Sequence, residues 1–105
     1  MNKSAILLVF ADVIPGKEEE FNKWYNGHHI PEFSGKMPHL KSVRRYYSKK
    51  GKLKFIALYE YDSPEDLKNS LASKESELAG KDADKQIGIL VNSFEFTTYN
   101  QVYPE

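Results

Sequence analysis

Two adjacent imidazoles, His28 and His29, lie in the stretch Phe21–Glu32 beside the only tryptophan of the chain, Trp24. An imidazole changes charge near neutral pH, and an aromatic surround makes its proton equilibrium easy to move. At about 100° per residue, an α-helix through this stretch puts Phe21, Trp24, Tyr25 and His28 on one face. His29 falls at the edge of that face, about 80° from Phe21. His28 then either carries a proton in a pocket or packs as a wall imidazole bonded to backbone. His29 either looks into a cleft beside the helix or caps its C-terminus, where the dipole favours it. Glu32 follows His29 by three residues and His28 by four, a spacing that on a continuous helix ligates a metal or orients an imidazole. Pro31 interrupts that spacing. No metal site is therefore expected, and Glu32 is left as a carboxylate that orients His29 or as a solvated loop acid.

A second group follows on the strands. Arg44, Arg45, Tyr46 and Tyr47 alternate along one segment, and Tyr59 and Tyr61 lie on the next. Arginine beside tyrosine in a cleft can clamp a carboxylate or enolate and donate protons. Tyrosine stripes also serve as packing walls, and an arginine as a rim or inter-subunit ion pair. One of the two arginines is expected to matter, and the spacing does not say which. Signatures for dinucleotides, nucleoside triphosphates, serine hydrolases and zinc proteases are missing: G-x-G-x-x-G, the P-loop, G-x-S-x-G and H-E-x-x-H do not occur.

These residues must be positioned by a small set of elements. Ala5–Val13 (AILLVFADV) is a near-continuous branched apolar run, as in a strand covered on both faces. Pro15-Gly16 ends it, and Glu18, Glu19 and Glu20 then place acids in a first helical turn. That helix is predicted over 17–29, failing at His29 or Ile30 because Pro31 disfavours helical geometry before it. Residues 33–38 read as a loop and 40–48 as a strand. A turn at 49–52 contains Gly51, and 53–61 is a further strand. Ser63-Pro64 is an N-cap followed by a proline at the first helical position. The second helix carries Leu67, Leu71 and Leu78 and is predicted to end by Gly80. Residues 81–86 are polar, one helical turn at most, and 87–99 form the last strand. The order β-α-β-β-α-β predicts an α+β, ferredoxin-like sandwich, a four-stranded antiparallel sheet with two helices on one face, in a single domain over 1–105.

Strand residues are apolar on both faces, and two helices cover only one. The other face is expected to pack sheet to sheet on a second copy, giving a two-fold homodimer. With 15 basic and 15 acidic residues, the chain has no formal net charge and lacks the basic stripe that phosphate binding needs. No nucleic-acid partner is expected. No cysteine is present, which excludes disulfides and thiolate chemistry. Nothing approaches the roughly 20 apolar residues of a membrane-spanning helix. Residues 5–13 lack the cleavage pattern of a leader, so they read as a strand of a cytoplasmic protein.

The element order, with W-Y-x-x-x-H-x-P-E (Trp24, Tyr25, His29, Pro31, Glu32), R-R-Y (Arg44, Arg45, Tyr46) and A-L-Y-E (Ala57, Leu58, Tyr59, Glu60), resembles the dimeric α/β-barrel superfamily and within it the EthD-like group. The resemblance spans about Leu7 to Phe96. It implies two protomers pairing their sheets into a barrel, with a pocket between sheet and first helix. It carries His29 over as the site imidazole, Trp24 and Tyr25 as helix-side wall, and Arg45 or Tyr46 as strand-side partners. Two departures stand out: Met37-Pro38-His39-Leu40 occupies a place where relatives have Pro-Gly-Phe, and His28 precedes the matched imidazole. The expected function is a cofactor-independent lyase, cyclase or isomerase acting on a small aromatic or enolisable molecule. In it His29, with or without His28, moves a proton while Tyr46 or Tyr59 and Arg45 hold the developing oxyanion. The alternatives are a cofactor-free monooxygenase on the same scaffold and a non-catalytic, stress-related dimer that binds a small hydrophobic ligand.

Overall fold

The computed structural model describes residues 3–105. Strand β1 (Ala5–Val13) pairs antiparallel with both β3 (Phe55–Tyr61) and β4 (Val91–Asn100), and β2 (Ser42–Tyr47) adds to the far side of β3. The sheet order is β2-β3-β1-β4. The most apolar strand therefore lies inside the sheet, where both of its edges are hydrogen-bonded. A register shift between Asp12 and Val13 marks a bulge against β4.

Alternation along the strands sorts the side chains. Leu7, Val9 and Ala11 share a face with their partners Tyr59, Ala57 and Phe55, and with Phe94 and Phe96 of β4. The helices cover this face. The core comprises Leu7, Ala11, Phe55, Ala57, Tyr59 and Tyr61 from the sheet, joined by Phe21, Tyr25, Leu67, Leu90 and Val91. Ile6, Leu8, Phe10, Ile56 and Leu58 lie on the opposite face and are only partly buried. The apolar second face anticipated from the sequence is present.

Helix α1 (Glu18–Trp24) opens with three acidic residues, and the Glu18 side chain accepts from the Gly16 N–H at 2.8 Å. A π-helical turn (Tyr25–His29), the short helix α2 (Ile30–Glu32) and a 3-10 turn (Ser34–Lys36) continue from it. The predicted failure at His29 or Ile30 is corrected here: the chain remains helical through Pro31. An α-helical turn drives a proline ring into the carbonyl four residues back, and the wider π turn is where the chain absorbs that conflict.

The second helix is two helices, α3 (Pro64–Leu71) and α4 (Lys74–Asp84). Ser63 and Ser73 cap them, accepting from the N–H of Asp66 and Ser76, each at 3.1 Å. Helix α4 runs past Gly80, where the sequence reading stopped it, and β4 begins at Val91 rather than residue 87. His39 takes a φ of +68°, a left-handed conformation that glycine adopts freely. No helix among the described residues is long and apolar enough to cross a membrane.

Candidate functional site

The π turn decides which imidazole enters the protein. Its bonds run five residues back, and the Ile30 N–H accordingly donates to the Tyr25 carbonyl. His29, five residues after Trp24, is thus carried directly beneath it. The two rings stack with centroids 4.6 Å apart and planes 26° from parallel. His29 is 5% exposed. His28, placed mid-face by regular helical spacing, is instead turned outward with half of its side chain exposed. One extra residue in the turn exchanges the two positions.

His29 Nδ1 lies 2.9 Å from Oδ2 of Asp82, itself 4% exposed on α4. A carboxylate accepts, so Nδ1 carries the hydrogen and Nε2 is the basic atom. Nε2 has no protein partner among the described residues. The other carboxylate oxygen lies 3.4 Å from His28 Nε2. Burial holds the His29 imidazole below its ordinary value of 6.5, and the hydrogen bond and charge of Asp82 oppose that shift. His29 is therefore a neutral base at pH 7, held in one tautomer.

A cavity of 290 Å³ adjoins this pair between the sheet and α4. Its walls include Leu7, Val9, Met37, Leu71, Phe94 and Phe96, and its polar side chains include His29, Ser34, Tyr25 and Tyr59. The Tyr25 and Tyr59 hydroxyls are 2.7 Å apart, and Tyr59 donates to Ser34 Oγ at 2.9 Å. Burial raises the pKa of both phenols, Tyr25 more than Tyr59. The Arg45 guanidinium lies over the Tyr25 ring, 4.4 Å from its centroid, and donates to Asn26 Oδ1 at 2.9 Å. Ser34 reaches this position because Gly35 packs against Ile30: a Cβ on Gly35 falls 2.6 Å from the Ile30 carbonyl oxygen.

The remaining sequence candidates are distributed around this centre. Tyr25 and Tyr59 line the cavity, and Trp24 backs His29 from behind. Arg45, rather than Arg44, packs with the helix-side aromatics; Arg44 is exposed on the other face. Tyr46 pairs with Ile56 on that other face and is 48% exposed, so strand alternation separates it from Arg45 and from His29. Glu32 is exposed and pairs with Lys36 at 3.9 Å, and the carboxylate that holds His29 is Asp82 instead. Asp82 and Ser34 were missed by the sequence reading. Asp82 carried one signal: with Ala79 and Ala83 it forms a three- and four-residue repeat that puts an acid into an apolar stripe.

An EthD family protein from Bacillus halodurans c-125 superposes with a TM-score of 0.68 at 22% identity, covering 90% of this chain and 96% of that one. The fold is ferredoxin-like and similar to that of this EthD family protein. A putative antibiotic biosynthesis monooxygenase from Nitrosomonas europaea shares the fold with a TM-score of 0.66 at 15% identity, over 99% of this chain and 95% of that one. So does a dimeric protein of unknown function from Bacteroides fragilis NCTC 9343, TM-score 0.61 at 14% identity, over 93% and 96%. No family model and no curated protein matches the chain.

Proposed function

We propose that the cavity binds a small, mostly apolar, enolisable molecule and that His29 moves a proton on it without a cofactor, as in a lyase, cyclase or isomerase. One observation carries this reading. A buried imidazole is fixed by a carboxylate at 2.9 Å and borders a cavity of 290 Å³. A base must be neutral, oriented and within reach of carbon-bound hydrogen. Burial and the Asp82 bond supply the first two conditions. The volume admits a molecule of about one or two rings, and the lining is mostly apolar, with Ser76 and Asp84 of α4 also on it.

The test is hydrogen–deuterium exchange at the α-carbon of small aromatic ketones in D2O, followed by NMR. The parent protein is expected to accelerate exchange, and His29→Ala to abolish that acceleration. Equal rates in both would remove the base. Uptake without exchange favours a non-catalytic ligand binder, and oxygen consumption with quinols favours a cofactor-free monooxygenase.

The functional unit we propose is a homodimer. Ile6, Leu8, Phe10, Ile56 and Leu58 form an apolar, partly exposed patch on the face the helices leave uncovered, which suits sheet-to-sheet packing on an identical copy. Sedimentation at micromolar concentration is expected to give a dimer and Leu8→Glu a monomer. A monomeric parent refutes it.

A further inference from the structure

We propose that Ser34 donates a hydrogen bond to an oxygen atom of the bound molecule, which makes the ligand class a carbonyl compound or phenol whose oxygen gains negative charge. This rests on the cavity being the ligand site described above. The direction of three hydroxyl hydrogens carries the argument. Tyr59 spends its single hydrogen on Ser34 Oγ at 2.9 Å, so it can only accept from Tyr25, 2.7 Å away. The chain runs Tyr25 to Tyr59 to Ser34, and all three residues line the cavity. The Ser34 hydrogen ends it, with no protein acceptor among the described residues.

A buried donor without an acceptor is unfavourable, and Ser34 is 2% exposed. The missing acceptor must come from what occupies the cavity. The Arg45 cation lies over the ring of Tyr25, the residue that starts the chain. Each donated bond polarises the next hydroxyl, so the arrangement favours negative charge at the Ser34 end. The phenols keep their hydrogens because burial raises both.

His29 and Ser34, both on the cavity wall, then act on one substrate. His29 Nε2 takes the proton from the carbon next to a carbonyl; the C–H electrons form a C=C bond and the carbonyl π electrons move onto oxygen. Ser34 meets that oxyanion, and Tyr59 and Tyr25 act as positioning residues through Ser34. The proton returns from Nε2 to another carbon or to the oxygen, so the step needs no oxidant or co-reactant.

The probe is 4-nitrophenol, whose absorbance reports how much of the bound molecule is ionised. Relative to the parent, Ser34→Ala is expected to move the bound equilibrium at least about tenfold toward the neutral phenol. Ser34→Thr, which keeps the hydroxyl, is expected to match the parent. Tyr59→Phe is expected to lose part of the effect at unchanged pH, a response that packing alone does not produce. Equal ionisation in the parent and Ser34→Ala overturns the proposal, as does Ser34→Thr behaving like Ser34→Ala, or no saturable uptake by the parent. Ketone exchange that needs His29 but ignores Ser34→Ala overturns only the donor. Ser34-dependent phenolate uptake with exchange indifferent to His29→Ala overturns only the base.

Discussion

Asp82→Asn tests the link between the buried pair and the behaviour of His29. The substitution keeps the size of the side chain and removes its charge, at a position 4% exposed and 2.9 Å from His29 Nδ1. Two contributions oppose the downward push of burial on His29, and both are strongest from Asp82: its hydrogen bond and its charge. With the charge gone and the burial retained, His29 is expected to titrate lower than in the parent. The asparagine amide can also donate, so the ring is no longer held with its hydrogen on Nδ1. A buried hydrogen bond to a charged group lost or weakened in this way costs about 1–3 kcal/mol. For a domain of this size that is roughly 4–12 °C in Tm. NMR titration of the His29 ring and thermal melts read the two effects separately. His28→Ala is the control: half exposed and 3.4 Å from the same carboxylate, its loss is expected to cost less than about 1 kcal/mol. A His29 that titrates at or above its parent value in Asp82→Asn, with an unchanged melt, would refute the reasoning.

Three further expectations follow from the same structure. The depressed His29 makes the unfolded chain the better proton acceptor between its ordinary value of 6.5 and its lower folded value. Stability is therefore full above about pH 6.5 and declines as pH falls through that window. Denaturant melts at several pH values should show a smaller decline in His29→Gln, and an identical decline would count against it. Gly35→Ala forces a Cβ to within 2.6 Å of the Ile30 carbonyl oxygen; a loss of about 1–3 kcal/mol is expected in chemical denaturation, together with weaker phenolate uptake as Ser34 shifts. Ser63→Ala removes the acceptor for the Asp66 N–H at 3.1 Å, and a melt should fall by about 1 kcal/mol in stability with ligand uptake unaltered.

The scaffold was legible in the sequence because its signals are local and regular. Ala5–Val13 is found with the bounds read from its apolar run, and Ser63-Pro64 starts a helix as its types demand. The strand alternation that divides Arg45 from Tyr46 is also readable, and it rules them out as partners at one site. The site was less legible. Helical spacing of 3.6 residues put His28 inside, and the π turn reverses that choice. Nothing in the composition of Tyr25–His29 specifies i→i+5 bonds, because the cause is a proline two residues beyond the turn. Gly80 reads as a helix stop and hides Asp82 beyond it, yet α4 runs through the glycine to Asp84. Ser34 had no signal of its own, since its partner Tyr59 is 25 residues away in sequence.

The conflict at Pro31 and the chemistry at His29 have one physical origin. A regular helix through Tyr25–His29 would satisfy its backbone more closely, and a π turn persists only where something compensates. Here the compensation is specific to the ring it delivers. His29 gains the stacked contact with Trp24 at 4.6 Å and the bond to Asp82 at 2.9 Å, interactions worth about 0.5–1.5 and about 1.5–3 kcal/mol respectively. The same widening lets the chain continue through Ile30–Glu32 into the tight approach at Gly35, and that approach sets Ser34 against Tyr59. Base and donor are therefore coupled through the backbone of residues 29–34, not assembled independently. Replacing Pro31 by alanine removes the steric reason for the wide turn. If the coupling holds, Pro31→Ala should release His29 from Trp24, seen as a change in the emission of the only tryptophan, and should weaken Ser34-dependent uptake in parallel. A change in one without the other would separate the two sides of the cavity and leave the π turn without a role in joining them.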